Sequence, residues 1–388
     1  MTDKSSVIFG NEISRKVINK GYRNQKKYLA KYGDDTGKEY HLATQDVEIM
    51  KSMSVTNLIL SDQKMEFDPQ GIIIGNIRMG FGHYRISIAM ASCAKALGYH
   101  PYWFDLASFD ATGSKMIREQ NNLYSTASKI SQVSHLFNHF FWEPLNSEGF
   151  RKLEYNSVDQ RNSELLAPLY HDIPQDMPFI ATHVWPSQGA VHAGMTHVVN
   201  AIPDNWPMAL HLSEGAIHTV QTDFAYLGYK MLNGMDKKPL LSMNNESLVK
   251  VGCYVDDELV KNIPLDNENR RKRIENGEPI RMLLTVGGAG AGAKQFLSII
   301  KFLLPYVKAS KVCLFINFGD HLDMWKYLCR EIKGFENETK CFFNEYSSLT
   351  KFVDSDMDSP VYGIHAIYNE DIFPAVYSTN LLMRKCDL

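Results

Sequence analysis

Beyond residue 70 the chain alternates short apolar runs with longer stretches of mixed polarity. The runs predict strands at 71–75, 100–105, 178–183, 197–201 and 217–221. The stretches between them predict helices at 83–97, 186–194 and 208–216, with a long helical region over 113–165. A second series starts at Ile280: strand RMLLTV, helix 294–307, strand KVCLFINF, helix 320–333, then strands at 339–343 and 360–366. Continuous apolar runs separated by amphipathic helices indicate parallel sheets covered on both faces. The fold class predicted is therefore α/β, with two facing doubly wound, Rossmann-like domains.

The same pattern divides the chain. Residues 1–70 are polar and charged and are expected to form a helical extension with loops. Residues 71–253 make the first domain and 280–388 the second. The charged stretch 254–279, ending in Gly277-Glu278-Pro279, is expected to be the linker. About 110 residues from Pro279 are few for a complete doubly wound domain, so the second domain is expected to be truncated or completed by another chain.

Composition narrows the function classes. With 44% hydrophobic residues the chain can bury large cores, and its net charge of −3 argues against a general nucleic-acid binder. Six cysteines are scattered without a C-x-x-C pair, which fits a reduced, cytoplasmic protein better than a disulfide framework or zinc site. No apolar run reaches the ~18 residues needed to span a bilayer, so any membrane contact is expected to be peripheral, at the inner face.

Two glycine-rich turns carry the candidate chemistry. GNIRMGFGH (75–83) follows the first strand, and VGGAGAGAK (286–294) follows the first strand of the second series. Glycines let the backbone approach a ligand, and the helix that follows offers unpaired N–H groups to an anion. The second turn is not a P-loop, because Ala293 stands where lysine is needed and Lys294 is followed by glutamine. Neither has the acidic follow-up of a dinucleotide site. Tight helix–strand packing explains a single such turn equally well, whereas one opening each domain points to ligands.

Four segments, in order, resemble the GT-B glycosyltransferases, in the branch of monogalactosyldiacylglycerol synthases and the lipid II-forming N-acetylglucosaminyltransferase. They are GFGHYRISIAMASCAKALGY, NAIPDNWPMALHLSEGAIHTVQTDFAYLGYKM, KVGCYVDDEL and LLTVGGAGAGAKQF. The resemblance implies transfer of a sugar from a nucleotide-sugar donor to a hydroxyl acceptor, a lipid-linked one among the candidates. It implies inversion by single displacement, with neither cofactor nor metal. His83 would be the base, its ordinary pKa lying near working pH, and Asp204 would orient or assist it. Arg78, Gly80, Gly82, Tyr84, Arg85 and His211 would face the acceptor. Gly287, Gly288, Ala289, Gly290 and Gly292 would cradle the donor diphosphate, with Ile367 and Tyr368 beside the base.

The chain departs from that family where Met79 and Phe81 interrupt the first turn, which puts the acceptor in question. The alternative function is a non-catalytic module or subunit that binds a sugar nucleotide. His83 also reads as a local helix cap, Asp204 as a turn residue before Trp206-Pro207, and His218 as structural. His135, His139 and Glu143 fall on one helix face, but their aromatic neighbours indicate an amphipathic helix buried against the sheet rather than a zinc site. The run NRRKR (269–273) reads as an exposed linker helix.

Overall fold

Eight strands form one mixed sheet: β3 (His41–Gln45), β4 (Thr56–Ser61), β5 (Gly71–Asn76), β6 (His100–Asp105), β7 (Phe179–Ala181), β8 (Val198–Ala201), β9 (Ile217–Val220) and β10 (Leu248–Lys250). Before them, β1 (Val7–Ile8) and β2 (Asn11–Glu12) make a small antiparallel hairpin. The order across the large sheet is β10-β9-β8-β7-β5-β6-β4-β3, parallel throughout except for the β3–β4 edge pair. The computed structural model describes residues 3–78, 81–288 and 290–388. The chain is an α/β protein that divides into two compact units, Met1–Met79 with Ala89–Tyr254 and Gly80–Ile88 with Val255–Leu388.

In the first unit every residue of β5 is buried, as the isoleucine run predicts. Its neighbours contribute Phe104 and Phe179 to one core with Leu165, Leu166, Leu169 and Tyr170. The direction of travel reverses at β5, since β6 lies on one side of it and β7 on the other. Open α/β sheets place ligands at the carboxyl ends of strands where this happens.

The second unit holds an all-parallel sheet of β11 (Ile280–Thr285), β12 (Val312–Asn317), β13 (Thr339–Phe343) and β14 (Gly363–Tyr368), in the order β11-β12-β14-β13. Alternate residues of β12 face opposite sides. Leu314 and Ile316 join Ile300, Leu303, Trp325 and Leu328 from helices Ala293–Lys308 and Leu322–Glu331. Cys313 and Phe315 join Leu349, Phe352 and Leu382 from helices Tyr346–Ser355 and Ile372–Met383. Helices leaving β12 and β14 thus cover opposite faces, and the switch point lies between these two strands.

Several expectations are corrected. The stretch read as an extension supplies β3, β4 and helix Arg15–Tyr32, with Tyr28 of that helix in the main core. A polar strand at a sheet edge lacks the continuous apolar run that marks an interior one. The expected helix 208–216 reduces to a 3-10 turn at Ala209–His211. The stretch read as a linker forms helices Asp257–Lys261 and Ile263–Glu275 within the second unit. There Arg270 donates to the carbonyls of Met383 and Cys386, and buried Arg273 binds Asp387, so the basic run is partly structural. The aromatic segment after Ser134 is not buried against the sheet. It winds through π-helical turns Asn138–Trp142 and Leu145–Gly149, leaving Leu136, Phe140 and Phe141 exposed at 70%, 63% and 66%. Among the described residues, no helix is long and apolar enough to cross a membrane.

Candidate functional site

The second glycine turn has the geometry of an anion cradle. Strand β11 ends at Thr285, and the Gly290 N–H closes a turn on the Gly287 carbonyl at 2.8 Å. Gly290 and Gly292 take φ of +62° and +91°, a region that residues with a Cβ rarely enter. Gly292 is the N-cap of helix Ala293–Lys308, and among the described residues no side-chain cap bond is made at that end. The first-turn N–H groups and the positive end of the dipole therefore remain available to an anion. Gly287 faces open space, Gly288 follows it in the turn, and Ala289 lies outside the described residues.

The end of β12 meets this turn. Asn317 accepts the Gly319 N–H through its side-chain oxygen and donates to the Ala375 carbonyl and the Thr379 hydroxyl. Behind it, the His321 ring packs against Gly290, where a Cβ would come within 2.7 Å of Nδ1. His321 Nε2 lies 3.4 Å from Asp320 Oδ1. Phe81 leans on His321, with ring centroids 5.8 Å apart, and lies against Gly319. Within the second unit, then, the start of the helix that follows the first glycine turn reaches the second turn through His321. Asn369, just past β14, buries its side-chain nitrogen without a hydrogen-bond partner among the described residues. A buried donor left unpaired costs about 1–3 kcal/mol, which a ligand oxygen would offset.

Neither His321 nor Asn369 was singled out from sequence. The signal was present, since F-G-D-H and Y-N-E-D each follow a predicted strand at its carboxyl end. Two predicted base contacts are corrected. Ile367 is 0% exposed within the core and its carbonyl accepts the Phe318 N–H, so its side chain cannot line a ligand site. Tyr368 is also buried, with its ring against Phe343 at 5.6 Å.

The first turn is rearranged relative to expectation. Helix Phe81–Ala96 begins early enough to include Gly82 and His83 in its first turn. Gly82 is exposed and His83 half-buried, and the Ser87 hydroxyl donates to the His83 carbonyl. Tyr84 is buried, and the Arg85 guanidinium is bound to the buried carboxylate of Asp256, so neither is presented to an acceptor as expected. Arg78 is exposed, its carbonyl accepting from the Asn121 amide, and Gly80 lies outside the described residues.

Asp204 and His211 come together in the first unit, whereas His83 belongs to the second. Asp204 follows β8, and its Oδ2 lies 3.0 Å from Nε2 of the buried His211. Asn200, at the end of that strand, donates to the His211 carbonyl at 2.6 Å and fixes the turn. Beside the pair, the Arg151 guanidinium stacks over exposed Trp206 at 5.3 Å. His218 is structural, as expected. Its Nε2 accepts the Ser213 N–H, and burial pushes its pKa down to about 4.

A family model described as domain of unknown function DUF6937 matches residues 7–231, and a second, DUF6938, matches residues 243–388. Comparisons with curated proteins and with solved structures give no match.

Proposed function

We propose that this chain, which belongs to the DUF6937 family, is an inverting glycosyltransferase of GT-B type that takes its sugar from a nucleotide-sugar donor. The observation that carries the reading is the 286–292 turn, with two positive-φ glycines at an uncapped helix N-terminus beside a switch point. In this reading Gly287, Gly288, Gly290 and Gly292 hold the diphosphate by backbone N–H groups. They stabilise the charge that grows on the leaving group as the bond to the anomeric carbon breaks. His83 takes the proton of the attacking hydroxyl. His211 is the second candidate base, favoured by its 3.0 Å approach to Asp204, which holds the ring in place for proton transfer. The exposed Leu136, Phe140 and Phe141 support an acceptor linked to lipid and a peripheral membrane contact.

The test is thermal stabilisation of the full chain by a panel of nucleotide sugars, repeated with Gly287→Asp. A Cβ at this position meets no neighbouring atom within 4 Å, so the substitution starts in open space and brings a carboxylate to the cradle. One nucleotide sugar should stabilise the wild type by about 2.7 kcal/mol at a hundredfold excess over Kd, and the variant should lose the shift. No shift with any member of the panel rejects the reading. A shift without sugar transfer to any acceptor leaves the binding module as the function. If transfer is seen, comparison of His83→Ala with His211→Ala assigns the base.

A further inference from the structure

A third cluster lies apart from both glycine turns. His41 opens the edge strand β3, and His171 and Asp172 follow the 3-10 segment Glu164–Tyr170. The Asp172 side chain is 0% exposed, and its Oδ2 accepts the Leu42 N–H at 3.0 Å. His41 Nδ1 lies 3.1 Å from Asp172 Oδ1 and 3.2 Å from Oδ2, while His171 Nδ1 lies 3.3 Å from Oδ1. One ligand atom from each of the three falls within 4.8 Å of the others, the only such group found among the described residues.

We propose that His41, His171 and Asp172 bind a divalent transition-metal cation of the zinc class. Ligand atoms at zinc-bond length from one ion stand roughly 3.0–3.5 Å apart, and the separations of both rings from this carboxylate fall in that range. Two imidazole nitrogens and one carboxylate oxygen form a donor set suited to zinc rather than to magnesium or calcium, which prefer all-oxygen cages. Both rings place Nδ1 beside the one carboxylate, so a single cation could engage all three groups at once. Glu39 Oε1, 3.5 Å from His171 Nε2, supplies the outer partner that orients a ligating ring. His171 is partly exposed, which leaves the ion a way in and a position for water. The metal would fasten edge strand β3 to the segment after Tyr170.

The experiment strips the full-length chain with EDTA and titrates it with zinc sulfate by calorimetry, beside His171→Ala and a His41→Ala/His171→Ala double variant. The wild type is expected to take up one equivalent more than the double variant and to melt at a higher temperature when loaded. Magnesium should produce neither effect. His171→Ala removes a partly exposed ring and keeps the fold, and should weaken that equivalent at least tenfold. Equal zinc uptake by wild type and double variant overturns the proposal, because the metal would then sit on other histidines. Absence of uptake overturns it as well.

Discussion

Helix Leu153–Ser163 of the first unit buries Asn156, Asp159, Gln160, Arg161 and Asn162, whereas helix Leu322–Glu331 of the second buries Met324, Trp325 and Leu328. The difference reflects what each helix must satisfy. In the first unit the helix lies beside irregular chain whose carbonyls have left water. Asn156 donates to the carbonyls of Ala209 and Leu212, Ser157 donates to that of Ser5, and Ser163 donates to Gln188. In the second unit the sheet and its helices answer their own backbone groups, so the space between them fills with Trp325, Phe318, Phe335 and Phe343. A polar interior is the consequence of loops that run inward, and an apolar one of regular elements that do not.

The largest effect expected is on the apolar side. Trp325→Ala removes a ring with aromatic neighbours at 5.2, 5.4 and 5.7 Å, and should cost about 3–5 kcal/mol in urea denaturation. A loss below about 1 kcal/mol would show that this cluster does not hold the second unit together.

Acid separates the two units next. Burial pushes the pKa of His365 in the second unit and of His218 in the first down to about 4. Each ring is neutral when folded and takes a proton on unfolding below its ordinary 6.5. Stability from each is present above pH 6.5 and is lost as pH falls toward 4, on the order of 3 kcal/mol apiece. Asp159, in the first unit, runs the other way. Burial raises its carboxyl to about 7, against a hydrogen bond from Trp185, so the folded state keeps a proton that the unfolded state releases. Its contribution falls as pH rises from about 4 to 7, on the order of 4 kcal/mol, and recovers on acidification. Amide exchange between pH 6.5 and 4 should therefore show the second unit weakening while the first holds nearly level. Asp159→Asn should make the two decline together, and a parallel decline in the wild type would break the comparison.

The smallest effect expected is for Gln160→Leu. Both polar atoms of the buried Gln160 side chain lack hydrogen-bond partners among the described residues, so removing them should leave stability within about 1 kcal/mol of wild type. A larger loss would mean that Gln160 answers polar groups through water.

The same contrast explains what could be read from sequence. Interior strands β5, β6 and β12 stand out as apolar runs, as does the edge strand β11, and helix Ala293–Lys308 as an amphipathic period. The helix bearing Asn156 and Ser157 reads as a solvated surface, because polarity by itself cannot report that loops need those side chains. β3 is not legible for the related reason that a sheet edge needs no continuous apolar run. In the candidate site, the glycines of the 286–292 turn were conspicuous and His321 was not, since packing against Gly290 depends on the β12 loop lying beside it. Ile367 failed in the opposite sense: an apolar residue near a strand end fits either a ligand wall or a core. The His41–Asp172 cluster was beyond reach, its members standing 131 positions apart while metal spacing was sought within single helices.

The membership of Gly80–Ile88 in the second unit bears on how this protein could be taken apart or inherited. A gene fragment encoding only residues 243–388 would hold the stretch that matches DUF6938 yet lack Arg85, the guanidinium bound to the buried Asp256 carboxylate. That carboxylate would keep its bond from Asn380 and lose its counter-charge. Breaking a buried pair by removing one partner costs roughly 3–5 kcal/mol, which is comparable to much of a domain's net stability. The two matched regions are therefore consecutive in sequence without being interchangeable parts, and recombination between them should be selected against unless residues 80–88 travel with the second.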